Sequence, residues 1–475
     1  MDESVLNWYG QHVDPNFRAV REEYVDPATQ RPVIEIGDFR STVFEGPVDF
    51  SEVSFCDARF DGAIFEAEAN FADATFSDVA CFEGVTFKQA VTFEGAVFDC
   101  PAIFEFDERS EDPAAGRRRE VTFGGWADFR QVQFNSGARF GGADFESRAR
   151  FGAASVGTVA APADASFDGA RFVRARTLGP LLVRGCLSLD RCSFEAPSIR
   201  IEVSAQSLSC VRAHFAARTT MEVRYAEVSL EDTEFVVPSI VGGSSEPFHG
   251  ADAGGAEFGE RRWKPRIKSL RRANVGNLTL ANVDLRQCCF VGAHNLDRLR
   301  FESVDFPHSA PRSTSRWMIA EESDQSVPRL RVADAYRSLR KAREDNKDEP
   351  GAADFYYGEM EMRRKSASGF DGVILPLYWL VSGYGLRAWR SIAALILTVA
   401  LFAWGFQAWG FDPDANFWGS LLFSAESTTS LFRAPSPPDG ASLTDVGHVL
   451  QMVLRLLGPL FFALAVLALR GRVKR

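Results

Sequence analysis

The chain has 475 residues, room for two or three domains, and a net charge of −11. Its eight cysteines form no CxxC pair, its six histidines have no ligand spacing, and no HExxH, GxSxG, Walker or GxGxxG motif is present. Those absences leave no catalytic residue, cofactor site or metal site to assign, so the chain reads as a non-enzyme, and nucleic acid is not an expected partner.

Residues 1–32 carry no regular pattern and are expected to form an N-terminal cap. Then phenylalanine recurs. Phe39, Phe44, Phe50, Phe55, Phe60, Phe65, Phe71, Phe76, Phe82, Phe87, Phe93, Phe98 and Phe104 succeed one another at steps of five or six residues. A helix repeats at 3.6 residues and a half-buried strand at 2, so a sustained period near five marks a repeat architecture. Two positions before each Phe from Phe50 to Phe104 stands a small apolar residue, among them Val48, Ala58, Ala63, Ala74, Ala96 and Ala102. In extended chain, i and i−2 point the same way. Each unit therefore turns one large and one small side chain inward, and Asp, Glu, Gly, Ser and Thr fill the turns. A unit this short cannot bury its Phe alone. Stacked coils can, at about 2–3 kcal/mol per ring.

The period continues through Phe123–Phe151, Phe167 and Phe172. Cys210, Phe215, Thr220, Tyr225, Leu230, Phe235 and Ile240 keep a step of five, as do Leu270, Val275, Leu280, Leu285 and Phe290, ending near Phe306. Stretches 107–120 and 241–262 break the period and read as insertions. Residues 175–205 fit it poorly. Cys192 and Cys288 occupy the small inward slot, which suits buried reduced thiols better than a redox or metal pair at Cys288–Cys289.

The run "FADATFSDVACFEGVTFKQAVTFEGAVF" (Phe71–Phe98), with Ala273-Asn274-Val275 and Val283-Asp284-Leu285 further on, resembles the pentapeptide-repeat family in its Phe-rich form. The resemblance covers about residues 33–306. It implies an all-β solenoid, a right-handed quadrilateral β-helix with one pentapeptide per face, about twenty residues per coil and a rise of about 4.8 Å. Its Phe and Ala positions are core, so function belongs to outward residues. Residues 38–108 hold 16 acidic and 3 basic residues, whereas 256–316 hold 6 acidic and 12 basic. A solvated surface is the favoured reading of this asymmetry. An acidic rod that mimics DNA and acts on a topoisomerase, as some family members are thought to do, is a less favoured one.

From about 317 the period is helical. Leu330, Ala333, Tyr336, Leu339 and Ala342 form one stripe, "DEPG" (Asp348–Gly351) reads as a turn, and Phe355, Met360 and Met362 lie on a second helix. A helical hairpin over 317–368 is expected to cap the open end of the solenoid. Residues 371–390 contain a short apolar run, Val373–Val381, expected to lie at a membrane interface. Residues 391–409 and 446–469 are each long enough to span a bilayer. Gly383–Gly385 reads as a turn before the first span. Cations flank both spans on their outer sides: Arg363, Arg364, Lys365, Arg387 and Arg390 before the first, and Arg470, Arg472, Lys474 and Arg475 after the second. The connecting loop carries only Arg433. With no signal peptide, the expected location is a bacterial cell (inner) membrane, multi-pass, with both termini and the coil cytoplasmic.

Between the spans, Phe417–Pro435 resembles the pore helix of two-span potassium channels through Phe417, Trp418, Leu421, Phe423, Ser424 and Thr429, which implies a re-entrant segment over 416–432. Ser430-Leu431-Phe432-Arg433-Ala434 stands where the filter belongs and lacks its glycines, so potassium selectivity is not expected. The candidate pore or membrane residues are Glu426, Ser427, Thr428, Thr429, Arg455, Gly458 and Pro459. Glu426 and Arg455 qualify as ionisable groups within the membrane, either as pore lining or as a structural pair. Gly458-Pro459 is expected to kink the second span. The sequence thus favours a membrane-anchored scaffold for an unknown cytosolic protein. The alternative is an oligomeric channel, a tetramer, with the solenoid as sensor.

Overall fold

The computed structural model describes residues 20–26, 31–105, 107–112, 117–248, 258, 263–309, 316–412, 416–429, 435–438 and 441–473. The chain folds as two compact units, Met1–Gln325 and Ser326–Arg475.

The first unit is a β-solenoid of about 11 turns with parallel strands. One coil runs through Val43–Phe44, Val48–Asp49 and Ser54–Arg59 and returns at Ile64–Phe65. Ser54–Arg59 shifts register between Phe55 and Asp57, so this strand serves two faces and the coil has four. Phe44 pairs with Phe65 and Phe65 with Phe87, so successive coils take 21 and 22 residues. That exceeds twenty because every six-residue step adds one.

The coil spacing stacks like on like. Phe39, Phe60, Phe82, Phe104, Phe140 and Phe167 form a column with ring centroids 4.6–4.9 Å apart and planes within 9°. A longer column runs from Phe44 through Phe65, Phe87, Phe123, Phe145, Phe172, Phe194 and Phe215 to Phe235. Neighbouring columns meet edge to face, as at Phe82–Phe93 (5.6 Å, 88°). Such geometry adds about 0.5–1.5 kcal/mol per pair to area burial. The small slots are buried as the pattern predicts, Cys192 and Cys288 included.

The step of five fails where strands lengthen. Thr177–Ser188 and Ser198–Ser209 pair in parallel, and Ile199, Ile201, Val203 and Ala205 point inward in alternation. Period two replaces period five there, which is why 175–205 fits the repeat poorly. The same cause overturns the inward placement of Thr220 and Ile240. Thr220 pairs with Ile240, which is 45% exposed, while the adjacent Met221 and Val241 are buried. The insertion at 107–120 contains an antiparallel hairpin, Asp107–Asp112 with Arg117–Arg119. The second break starts later than expected, since Ser239–Gly243 is still a coil strand.

Both ends of the solenoid are covered by chain of the same unit. Val20–Val25 pairs antiparallel with Pro32–Asp38, the first coil strand; residues 1–19 of the expected N-terminal cap lie outside the described residues. At the other end, buried Glu321 accepts hydrogen bonds from the backbone N–H groups of Phe290 and Val291. Beside it Arg316 and Glu322 form a buried ion pair at 2.7 Å, and Trp317 stacks on Phe306.

The second unit is helical. Helix α1 (Arg329–Asp345) and helix α2 (Glu349–Ser366) form the hairpin. Val332, Ala333, Tyr336, Leu339 and Ala342 are buried, whereas Leu330 is 61% exposed, so the stripe starts one turn position later than the sequence suggested. "DEPG" opens α2 instead of forming the turn: Asp348 is the N-cap, accepts from the Gly351 N–H, and Pro350 sits in the first turn, where a missing N–H costs nothing. Phe355 and Met362 are buried and Met360 half-buried. Gly358 is required because a Cβ there would lie 2.5 Å from the Tyr336 ring. Helices α3 (Asp371–Ser382), α4 (Ala388–Gly405), α5 (Phe417–Thr429) and α6 (Asp445–Val473) come next, with a π turn Phe406–Gly410 prolonging α4.

Candidate functional site

Helices α4, α5 and α6 pack together around Phe406, Phe411, Phe423 and Leu454. On α5, Asn416 accepts from the Gly419 N–H and starts the helix. Ser420, Phe423, Ser424, Ser427 and Thr428 turn inward at helical spacing. The Ser424 hydroxyl donates to the Val399 carbonyl of α4 (2.9 Å), and Thr428 donates to the Ser424 carbonyl (2.8 Å). Gly458 of α6 meets Thr428: a Cβ there would lie 2.6 Å from Thr428 Cγ2 and 2.8 Å from its carbonyl oxygen. Gly458 therefore permits a close helix crossing. Pro459 lies inside α6, which continues without a break from Asp445 to Val473.

The chain linking these helices is also pinned. Phe411–Asp412 and Ser442–Leu443 pair antiparallel, and the Thr444 hydroxyl donates to the Trp409 carbonyl at 2.6 Å. Of the sequence-assigned residues, Ser427, Thr428 and Gly458 are buried together in this packing. Arg455 and Pro459 are half-buried, and Glu426 is exposed on the outer side of α5 with Trp418 and Leu422. Thr429 ends α5, and the filter positions Ser430–Ala434 lie outside the described residues.

The distribution of polarity is inverted. Serine hydroxyls and Gln451 are inside, while Ile396, Leu397, Leu401 and Trp404 of α4 and Val449, Met452, Leu456 and Phe462 of α6 are exposed. The segments Trp389–Gly410 and Asp445–Leu464 are long and apolar enough to cross a membrane, and each is only 22% buried within the fold. A core helix of a soluble protein is mostly covered, and continuous exposed apolar faces of this size are rare on soluble monomers.

Sequence reasoning missed a polar cluster where α2, α3 and α4 meet. Gly383, Tyr384 and Gly385 all have positive φ (55°, 60° and 77°) and reverse the chain between α3 and α4. This confirms the turn and adds a buried tyrosine within it. The Tyr384 hydroxyl donates to Glu361 (3.1 Å) and accepts from Arg364 (3.1 Å), which also pairs with Glu361. Burial and then the Glu361 charge push the Tyr384 phenol well above its usual range. Burial alone would raise Glu361, but the Arg364 hydrogen bond and charge outweigh it and hold the carboxyl below its usual range. Trp379 donates to the Tyr357 hydroxyl (2.9 Å), and its ring lies against the guanidinium groups of Arg364 and Arg390. A Tyr between two glycines was the visible signal; its partners, about twenty residues upstream, carried none.

A second feature lies on the solenoid. The five-stranded face holds a groove of about 630 Å³ edged by Asp49, Glu68, Glu94, Asp128, Arg130 and Trp126. Trp126 is 39% exposed, with the Arg150 guanidinium 4.7 Å from its ring centre.

Residues 37–75 match the family model described as pentapeptide repeats (9 copies). The chain carries pentapeptide repeats. Beyond the matched segment the solenoid and its stacked Phe columns continue. Neither a curated protein nor a solved structure matches the chain.

Proposed function

We propose that this protein is a membrane-anchored scaffold whose pentapeptide-repeat solenoid offers an elongated surface to a cytosolic protein. The observation that carries this reading is the pairing, in one chain, of a solenoid whose stacked phenylalanines are buried in its own core with helices that leave most of their large apolar side chains exposed. The Lys and Arg flanking both spans support cytoplasmic termini, and the lipid membrane is then the first partner. The acidic groove with its exposed Trp126 supports a partner with a basic, apolar-tipped segment. Full-length protein in vesicles should retain a cytosolic partner that a Trp126→Ala, Glu94→Lys variant loses. Equal retention by both would remove the groove from the account.

The packing of α5 against both apolar helices, with Trp418, Leu422 and Glu426 on its outer side, favours a second reading, an oligomeric channel. Planar-bilayer recordings across salts, voltages and tensions decide it. Conductance that a Glu426→Gln variant alters supports the channel, and silence under all conditions excludes it. Catalysis has no place in either reading.

A further inference from the structure

Helix α3 is two-sided. Its inner side is tied to α2 and to the turn: Trp379 donates to Tyr357, Tyr378 packs against Tyr384 at 5.8 Å, and Ser382 is buried. Its outer side presents Phe370, Val373, Ile374, Leu377 and Leu380, all exposed. Spacings of three, one, three and three place them on one helical face. At twelve residues α3 is too short to cross a bilayer. It runs through the short link Gly383–Arg387 into α4, whose own apolar face is exposed.

The charges beside this face are unequal. From Arg363 to Arg390 the chain has five cations and one acid, Asp371. Arg363 is paired with Glu359, and Arg364 and Lys365 with Glu361. Arg390 is different. It donates to the Trp379 carbonyl (3.1 Å) and lies 4.9 Å from the Trp379 ring and 5.7 Å from the exposed Trp389 ring. Among the described residues no carboxylate lies within ion-pair distance of it. One N–H of this guanidinium goes to that carbonyl, and its remaining donors can take an external oxyanion such as a phosphodiester. Indole and guanidinium side by side beneath an apolar stripe match the boundary between acyl chains and headgroups.

We propose that α3 lies in the bilayer surface on its Phe370–Leu380 face and that Arg390, framed by Trp379 and Trp389, binds the phosphate of an anionic phospholipid. This rests on the membrane anchoring proposed above. The occupant is lipid because the apolar face continues into that of α4 and because Arg390, with no carboxylate partner among the described residues, stands at their junction.

The test uses the full-length protein in vesicles of equimolar phosphatidylcholine and phosphatidylglycerol. A photo-reactive benzoylphenylalanine replaces Leu377 on α3 or, as reference, Leu397 on α4. Mass spectrometry identifies the adducts. Both positions should capture lipid, and Leu377 adducts should hold about a twofold excess of phosphatidylglycerol over its bulk share. Arg390→Gln should abolish that excess, Arg390→Lys should keep part of it, and Arg363→Gln should leave it unchanged. Lipid adducts at Leu397 with protein dimers or no adduct at Leu377 would overturn the placement of α3 while leaving the anchoring intact. An unbiased lipid ratio, or a bias indifferent to Arg390→Gln, would overturn the headgroup site. No lipid at either position would remove the anchoring itself and the proposal with it.

Discussion

Tyr384 shows how one side chain can join three helices. Its ring is buried, its backbone is left-handed, and its hydroxyl sits between Glu361 and Arg364. Tyr384→Phe removes a hydrogen bond to each charged group and should lower the stability of the helical unit by about 1–3 kcal/mol, measured by denaturant titration in detergent. The Glu361 carboxyl is held below its usual range, so its contribution is complete above that range and is lost as pH falls through the depressed value. The wild type should therefore weaken in acid more steeply than a Glu361→Gln variant. Gly458 makes a second residue-scale case. Gly458→Ala places a methyl inside the Thr428 contact and should cost about 1–3 kcal/mol, while Gly369→Ala, whose Cβ would meet nothing, tests only the cost of its positive φ. Thr428→Ser should recover part of the Gly458→Ala loss if the overlap is with the Thr428 methyl.

Element by element, the repeat was legible because every coil obeys the same two rules, a large ring inward and a small residue two places before it. Phe50–Phe104 obey both, and in Leu270–Phe290 aliphatic side chains take the place of most of the rings. Legibility ended where strands grew longer than one face. Ile240 looks like a core residue at five-residue spacing, yet inside Ser239–Gly243 the pleat decides, and it turns Val241 inward instead. The end of the solenoid was illegible for a different reason. Glu321 offers no pattern, and only folding brings its carboxylate onto the Phe290 and Val291 amides. Burial raises the Glu321 pKa, so the folded state holds its proton more tightly than the unfolded chain. Stability from that group is full below the ordinary carboxylate value and declines as pH rises through the raised one. Glu321→Gln keeps an acceptor for both amides and should flatten this decline, read as amide exchange at Phe290 and Val291 between acidic and neutral pH. Unchanged pH dependence would show that Glu321 is not its source. In the candidate site, the sequence located α5 through its resemblance to a pore helix and marked Gly458 only as a kink, with no sign that it meets Thr428. It held no sign that Glu426 faces outward, since helix phase within an apolar segment is set by partners that the segment does not encode.

At the scale of the whole molecule, two units solve the burial of apolar surface in opposite ways. The solenoid stacks its phenylalanines on one another, so Phe82→Ala, between partners at 4.9 and 4.6 Å, should cost about 3–5 kcal/mol and loosen neighbouring coils. The helices α4, α5 and α6 keep serines, Thr428 and Gln451 inside and leave leucines, valines and tryptophans outside, an arrangement stable only if something apolar surrounds them. We propose that a lipid bilayer is that surrounding. Flotation of vesicles carrying the full-length chain, after an alkaline carbonate wash, tests it most directly. The protein should float with the lipid and be released only by detergent; recovery of the chain in the carbonate supernatant would rule the bilayer out.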